Sequence, residues 1–298
     1  MSALLAVVVD GVIYASWLFM IAVGLTLIYG VMKILNIAHG SLYALGAYGA
    51  ASLAGYWLSQ GYAPFGSYAA LLAAAALVGL IIGPLIERGL LRFMYGRDEI
   101  ILLLVTYAVF LILEDAIKLI WGVDPYIISE PYGLLGIVEF ANLVYPTYSF
   151  MLIVVSLAVG VLLAWVLHRT RHGKLLAAVI HDREVSQAMG VNVRRYYLAT
   201  FTAGAILAAL GGALTAPTVS VVPGMGVEVI VLAFAVVVIG GLGSLPGAAL
   251  GALIVGLLRA AAVHYAPALE LFSIYLVMAL VLAFRPQGLF AGEQVRTI

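Results

Sequence analysis

The side chains that could carry out chemistry are few, and most are badly spaced for it. His168, His172, His181 and His264 lie too far apart for a metal centre, and the absence of cysteine removes thiolate ligands, thiol nucleophiles and disulfides. No two carboxylates fall in an enclosed acid–base arrangement, and no Gly-x-x-x-x-Gly-Lys-Ser/Thr string is present to cradle nucleotide phosphates. Enzyme is therefore the poorest class, with no metal and no cofactor expected in this chain. Formal net charge is zero, which gives no basis for a nucleic-acid partner. Three polar groups remain in otherwise apolar surroundings. Asn36, His39, Ser41 and Tyr43, with Tyr48 beyond, form an Asn-x-x-His-Gly turn that either lines a route for a polar solute or satisfies its own backbone. Glu114, Asp115 and Lys118 are the most charged part of any apolar run, and Glu114 with Lys118 has the i,i+4 spacing of a structural pair rather than a proton relay. The stretch His168–Tyr197 gathers six of the fourteen Lys and Arg residues into one polar interruption, which something soluble must meet.

The elements that hold these residues are membrane spans. A chain of 298 residues that is 65% hydrophobic and 9% charged, with mean hydropathy +1.17, has too little polar surface for a soluble globule. Its 32 glycines suit helices that pack through small residues, since lipid offers no hydrophobic drive for association. A porin-like barrel would need alternating apolar and polar residues instead. Spans are expected at 9–32, 40–58, 68–87, 99–121, 148–168 and 196–216, each near the ~20 residues that a bilayer core requires. The run from Gly226 to His264 is too long for one span and must break at Gly240-Gly-Leu-Gly-Ser-Leu-Pro-Gly247, and a last span covers 269–284. The expected architecture is an all-α, polytopic, single transmembrane domain over 1–298, of about eight spans plus a Gly-broken or re-entrant segment. Gly40-Ser-Leu and Gly243-Ser-Leu form a weak internal echo.

No basic residue precedes the first span, whereas Lys33, Arg88, Arg92, Arg97 and the central loop follow inward crossings, so the positive-inside rule puts the N-terminus outside and the C-terminus in the cytoplasm. Lys118 and Arg259 are the exceptions. Residues 122–147, acidic and punctuated by proline, are then extracytoplasmic and read as an irregular cap. In the central loop, about 169–195, Lys174 to Met189 favours a short helix, Asp182 can cap a second one, and Gly190 is placed to end it. Such an element lies across the cytoplasmic surface, against lipid headgroups or in a partner's groove.

The pattern Arg171-x-Gly173-Lys174, then Asp182, then Ala188-Met-Gly-Val-Asn192, resembles the coupling loop of ABC-importer permeases of the branched-chain amino-acid (Liv) type. The stretch Gly24–Tyr48 is similar to the amino-terminal signature of the LivH-like subunit, and Gly240-Gly-Leu-Gly-Ser with Arg285-Pro-Gln-Gly-Leu-Phe290 to its carboxy-terminal ones. Two positions depart from the pattern: Ala177 stands where many relatives carry Arg, and Ser41 where many carry an acidic residue. The resemblance implies an inner (plasma) membrane permease that pairs with a LivM-like second permease and docks two ATPase subunits holding the ATP and Mg. It also implies that an extracytoplasmic binding protein delivers the cargo, branched-chain or other hydrophobic amino acids, with urea, short amides and small carboxylic acids as alternatives. It points to Arg171, Gly173, Lys174, Asp182, Arg183 and Gly190 for ATPase coupling, while the residues' own setting makes Asn36, His39, Ser41 and Tyr43, near the cytoplasmic side, and Gly240, Gly241 and Gly243 of the helix break a candidate translocation route. The rival class is an ion-coupled secondary transporter, which would place an acid deep within a span. Here the acids are expected at span ends.

Overall fold

In lipid, a backbone can satisfy its polar groups only internally, and long apolar runs do so as helices. The computed structural model describes residues 2–290. Its elements are α1 (Ser2–Met32), α2 (His39–Ser59), α3 (Gly66–Gly89), α4 (Glu99–Trp121), β1 (Ile137–Phe140), β2 (Leu143–Pro146), α5 (Thr147–Arg169), α6 (Arg171–His181), α7 (Arg183–Ala188), α8 (Val193–Thr215), α9 (Met225–Gly240), α10 (Leu245–Tyr265) and α11 (Glu270–Phe284). Seven helical runs are long and apolar enough to cross a membrane: α1, α3, α4, α5, α8, α10, and α11 together with the turn before it (Pro267–Phe284). The chain is a polytopic all-α membrane protein.

Several boundaries differ from expectation for local reasons. The first helix starts at Ser2 rather than residue 9. The break after Gly240 is shorter than expected, because Ser244 accepts a hydrogen bond from the Gly247 amide (3.1 Å) and Pro246 occupies the first turn, so the chain re-enters helix at Leu245. α10 therefore runs for 21 residues. Within 122–147, the irregular cap contains a β-hairpin, β1 against β2, turned by Ala141 and Asn142 at φ 52° and 64°.

Alternating crossings give the bundle two ends. One, the loop end, carries residues 90–98, 170–192 and 241–244; the other, the hairpin end, carries 60–65, 122–146 and 266–269. Glycine lets the central helices touch backbone to backbone. Gly11 lies against Leu257, Gly256 against Gly11 and Ala15, and Gly30 against Gly243, so α1 and α10 run antiparallel in contact along their length. α8 is enclosed by α1, α2 and α3 in the same manner, with Gly79 on Ile206 and Gly46 on Ala209. α5 and α11 are peripheral, with only 11% and 6% of their spans buried.

α2 does not start at the loop end. After Met32 the chain turns at exposed Lys33 (φ 55°) and residues 34–38 fold back into the bundle, so that His39 reaches the Ile21 carbonyl (3.0 Å). Ile21 lies eleven residues before Met32, so α2 begins about 16 Å inside the loop end of α1. α9 does the same from the opposite direction: after α8, residues 216–224 double back and α9 starts inside the bundle, with Gly226 against Gly40. The two Gly-Ser-Leu strings are not equivalent. Ser244 caps its own helix, whereas Ser41 points across to α4; the structural echo relates the α2 start to the α9 start.

Candidate functional site

The two inward-starting helices meet at a junction closed by α4. The non-helical 33–38 segment leaves backbone groups without helical partners, and the Thr106 hydroxyl of α4 reaches two of them, accepting from the Ile37 amide (3.3 Å) and sharing its proton between the Leu35 carbonyl (3.1 Å) and the Leu103 carbonyl of its own helix (3.0 Å). Two turns further along the same face lies Glu114, 6% exposed. Its Oε2 accepts from the Gly224 amide (3.1 Å) at the start of α9, and its Oε1 lies 3.4 Å from the Ser41 hydroxyl in the first turn of α2. Ser41 also lies 3.2 Å from the Phe110 carbonyl, so its one proton is shared between two acceptors. Each helix start carries unsatisfied amides and the positive end of a dipole, so one carboxylate compensates both. Gly224 takes φ +87°, a left-handed conformation that a side chain would strain.

This corrects the expected Glu114–Lys118 pair. Lys118 instead binds Asp115 (3.1 Å), one position round the helix, and Glu114 faces inward. It also corrects the expectation that acids cluster at span ends. The second basic exception, Arg259, is paired with Glu270 and lies over the Tyr14 ring (4.0 Å), which explains how a cation is held within α10. A second buried carboxylate carries no sequence signal: Glu87, 2% exposed in the last turn of α3, accepts from the Tyr95 hydroxyl.

The expected route residues separate into two places. Asn36, His39, Ser41 and Tyr43 are buried at the junction or beside it, well inside the bundle rather than near its loop end. His39 donates from Nε2 to Ile21, which fixes the tautomer and leaves Nδ1 an acceptor. The Tyr43 hydroxyl accepts from the Trp17 indole (3.3 Å), and Tyr48 packs on Trp121 and Tyr126. Gly240, Gly241 and Gly243 lie at the other end of α9: Gly240 is against Gly247, Gly241 (φ +107°) against Phe290, and Gly243 (φ +82°) against Gly30.

The basic loop forms two short helices lying between α5 and α8. Thr170 caps α6 (3.1 Å to the Gly173 amide), Asp182 caps α7 (2.9 Å to the Val185 amide), and Asn192 caps α8 (3.2 Å to the Arg195 amide). Gly173, one of the expected coupling residues, lies within α6, packed on the Val166 and Leu167 carbonyls where a Cβ would overlap them. Gly190 has φ +87° and ends the second helix in open space. Leu176 and Val179 are buried on the inner face of α6, while Arg171, Lys174, Ala177 and Arg183 are exposed. An apolar cavity of about 60 Å³ lies between α1 (Thr26, Gly30), α5 (Leu163, Leu167), Ile180 of α6 and Gly243 of the break.

Periodicity could have revealed Glu114, because Thr106, Phe110, Glu114 and Ile117 recur at helical spacing on one face of α4. No sequence signal points to Gly224 or Gly226 as its neighbours.

Residues 7–284 match the family model described as branched-chain amino acid transport system / permease component. The chain is 31% identical over 299 residues to the high-affinity branched-chain amino acid transport system permease protein BraD of Pseudomonas aeruginosa, covering 97% of this chain and 96% of BraD. It is 27% identical over 300 residues to LivH of Escherichia coli, with the same coverage of each. It is 30% identical over 266 residues to a probable LivH of Methanocaldococcus jannaschii, covering 85% of this chain and 79% of that one.

Proposed function

Because this chain belongs to the family of branched-chain amino acid transport system permease components, we propose that it carries branched-chain or other hydrophobic amino acids inward across the inner membrane. It is the permease of an ABC importer, a transport component rather than an enzyme. The observation that carries the finer reading is the end-to-end match to BraD and LivH, taken with the absence of any phosphate-binding loop in the chain. Energy then comes from two partner ATPase subunits that hold ATP and Mg, a LivM-like chain supplies the other half of the pathway, and an extracytoplasmic binding protein delivers the cargo. The test is co-purification with those ATPase subunits followed by uptake in proteoliposomes. Radiolabelled leucine should accumulate only with ATP and binding protein present, and uptake driven by an ion gradient without ATP would sink this reading.

The α6–α7 element is the proposed contact with the ATPases. Its exposed Arg171, Lys174 and Arg183 seat it on the partner, while Leu176 and Val179 fix it to the bundle. Loss of the Asp182 cap costs roughly 0.5–2 kcal/mol of local helix stability, too little to unfold the spans. Asp182→Ala is therefore expected to leave the complex assembled and to lower leucine uptake per ATP hydrolysed. Gly190→Val should do more damage, since φ +87° is closed to a β-branched residue. Equal coupling ratios in wild type and both variants would reduce α6–α7 to an anchoring loop.

The proposed orientation puts the hairpin end outside, with the N-terminus extracytoplasmic and the C-terminus cytoplasmic. Ser129 is exposed in the loop ahead of the hairpin, and the chain has no native cysteine. Ser129→Cys is expected to react with an impermeant thiol reagent in intact spheroplasts. Reaction only after membrane permeabilisation would invert the topology.

A further inference from the structure

We propose that the exposed face of α9 lines the water-filled route of the assembled importer and that the Glu228 carboxylate takes the ammonium group of the amino acid in transit. This rests on the import function above. Glu228 lies in the first turn of α9, is exposed, and forms no ion pair among the described residues. Twelve residues separate it from Gly240 at the loop end, about 18 Å of helix, which puts it near the middle of a hydrocarbon core ~30 Å thick.

A lone carboxylate at that depth is too costly to face lipid tails. The outer faces of the other helices look different at that depth. Those of α3 and α5 present Leu77, Leu80, Leu157 and Val161 to lipid, and the exposed charges of α4, Asp115 and Lys118, neutralise each other. Glu228 is the exception, so its face of α9 meets water or protein in the complete transporter. The surroundings match the cargo. Val227 and Val231, 47% and 41% exposed, flank the carboxylate within one turn, placing an aliphatic wall beside an anion as a zwitterion with a branched hydrocarbon side chain requires. The two helix starts and Glu114 lie just above it, so this surface adjoins the junction that a moving α9 would disturb.

The test uses the whole importer in proteoliposomes with its binding protein and radiolabelled leucine. Glu228→Cys is expected to react with an anionic, membrane-impermeant methanethiosulfonate, whereas Leu80→Cys on the lipid face does not. Glu228→Gln should lower leucine uptake by about tenfold with the complex still assembled, and Glu228→Asp should restore part of it. An unreactive Glu228→Cys, or wild-type uptake by Glu228→Gln, overturns the proposal. Loss of the second permease from the purified Glu228→Gln complex also overturns it, by assigning the carboxylate to a basic side chain of that partner. Absence of ATP-driven leucine uptake by the wild-type complex would instead sink the import function itself.

Discussion

Glu114→Ala is expected to lower uptake by roughly a hundredfold while the transporter still inserts and assembles. The carboxylate joins the α9 start to the α2 start from α4, through Gly224 (3.1 Å) and Ser41 (3.4 Å). Removing it leaves the Gly224 amide without a partner, a penalty of about 1–3 kcal/mol, and leaves the Ser41 hydroxyl to the Phe110 carbonyl alone. A loss of about 3 kcal/mol in the positioning of α9 corresponds to roughly a hundredfold in rate. The spans themselves keep their apolar contacts, so the loss appears in transport more than in assembly. Glu114→Gln should fall between, because one carbonyl oxygen can serve only part of what two carboxylate oxygens do and its amide brings donors to a site built from donors. Asp115→Asn is the control: its ion pair with Lys118 is exposed, and pairs of that kind contribute little. Uptake and thermal unfolding are measured on the same reconstituted samples. Glu114→Ala transporting at the wild-type rate would remove the junction from the mechanism.

Valine at Gly40 or Gly226 is expected to be worse still and to act on assembly. A Cβ on Gly40 would overlap the Gly226 carbonyl and come within 2.9 Å of the Ile230 Cβ; a Cβ on Gly226 would come within 2.7 Å of the Gly40 carbonyl and 2.8 Å of Glu114 Oε1. In each case the nearest neighbour is a backbone carbonyl, so no rotamer change relieves the overlap and the two helix starts must separate. Overpacking of this kind costs 1–3 kcal/mol or more, which lowers the unfolding midpoint by roughly 5 °C or more at the upper end. Gly55→Val on the same α2 helix, where a Cβ meets nothing within 4 Å, should leave yield and midpoint near wild type. Full yield and an unshifted midpoint for Gly40→Val would mean that the α2 and α9 starts are not packed as described.

Much of the architecture is determined by local sequence. Apolar runs of span length became helices, Gly240–Gly243 became the break, and Asp182 became the cap of a short helix, because each is a property of a few consecutive residues acting through hydrogen bonding, hydropathy or accessible backbone angles. The family likewise followed from strings that need no folding to be seen. The candidate site did not, and His39, Glu114 and Glu228 show why. Periodicity says which residues share a helix face but not which face is turned inward, so Glu114 was matched with Lys118 on the outside when it belongs inside with Ser41 and Gly224. His39 was placed near the loop end because a span ordinarily starts at the bilayer surface. A helix can begin deep within the bundle only when other helices serve its first amides and the non-helical backbone before it. Here those groups come from Thr106 and Glu114, 69 and 110 positions away in the chain. The exposure of Glu228 is of the same kind: its residue type was visible throughout, but its depth follows from where α9 begins, and tertiary contacts alone decide that.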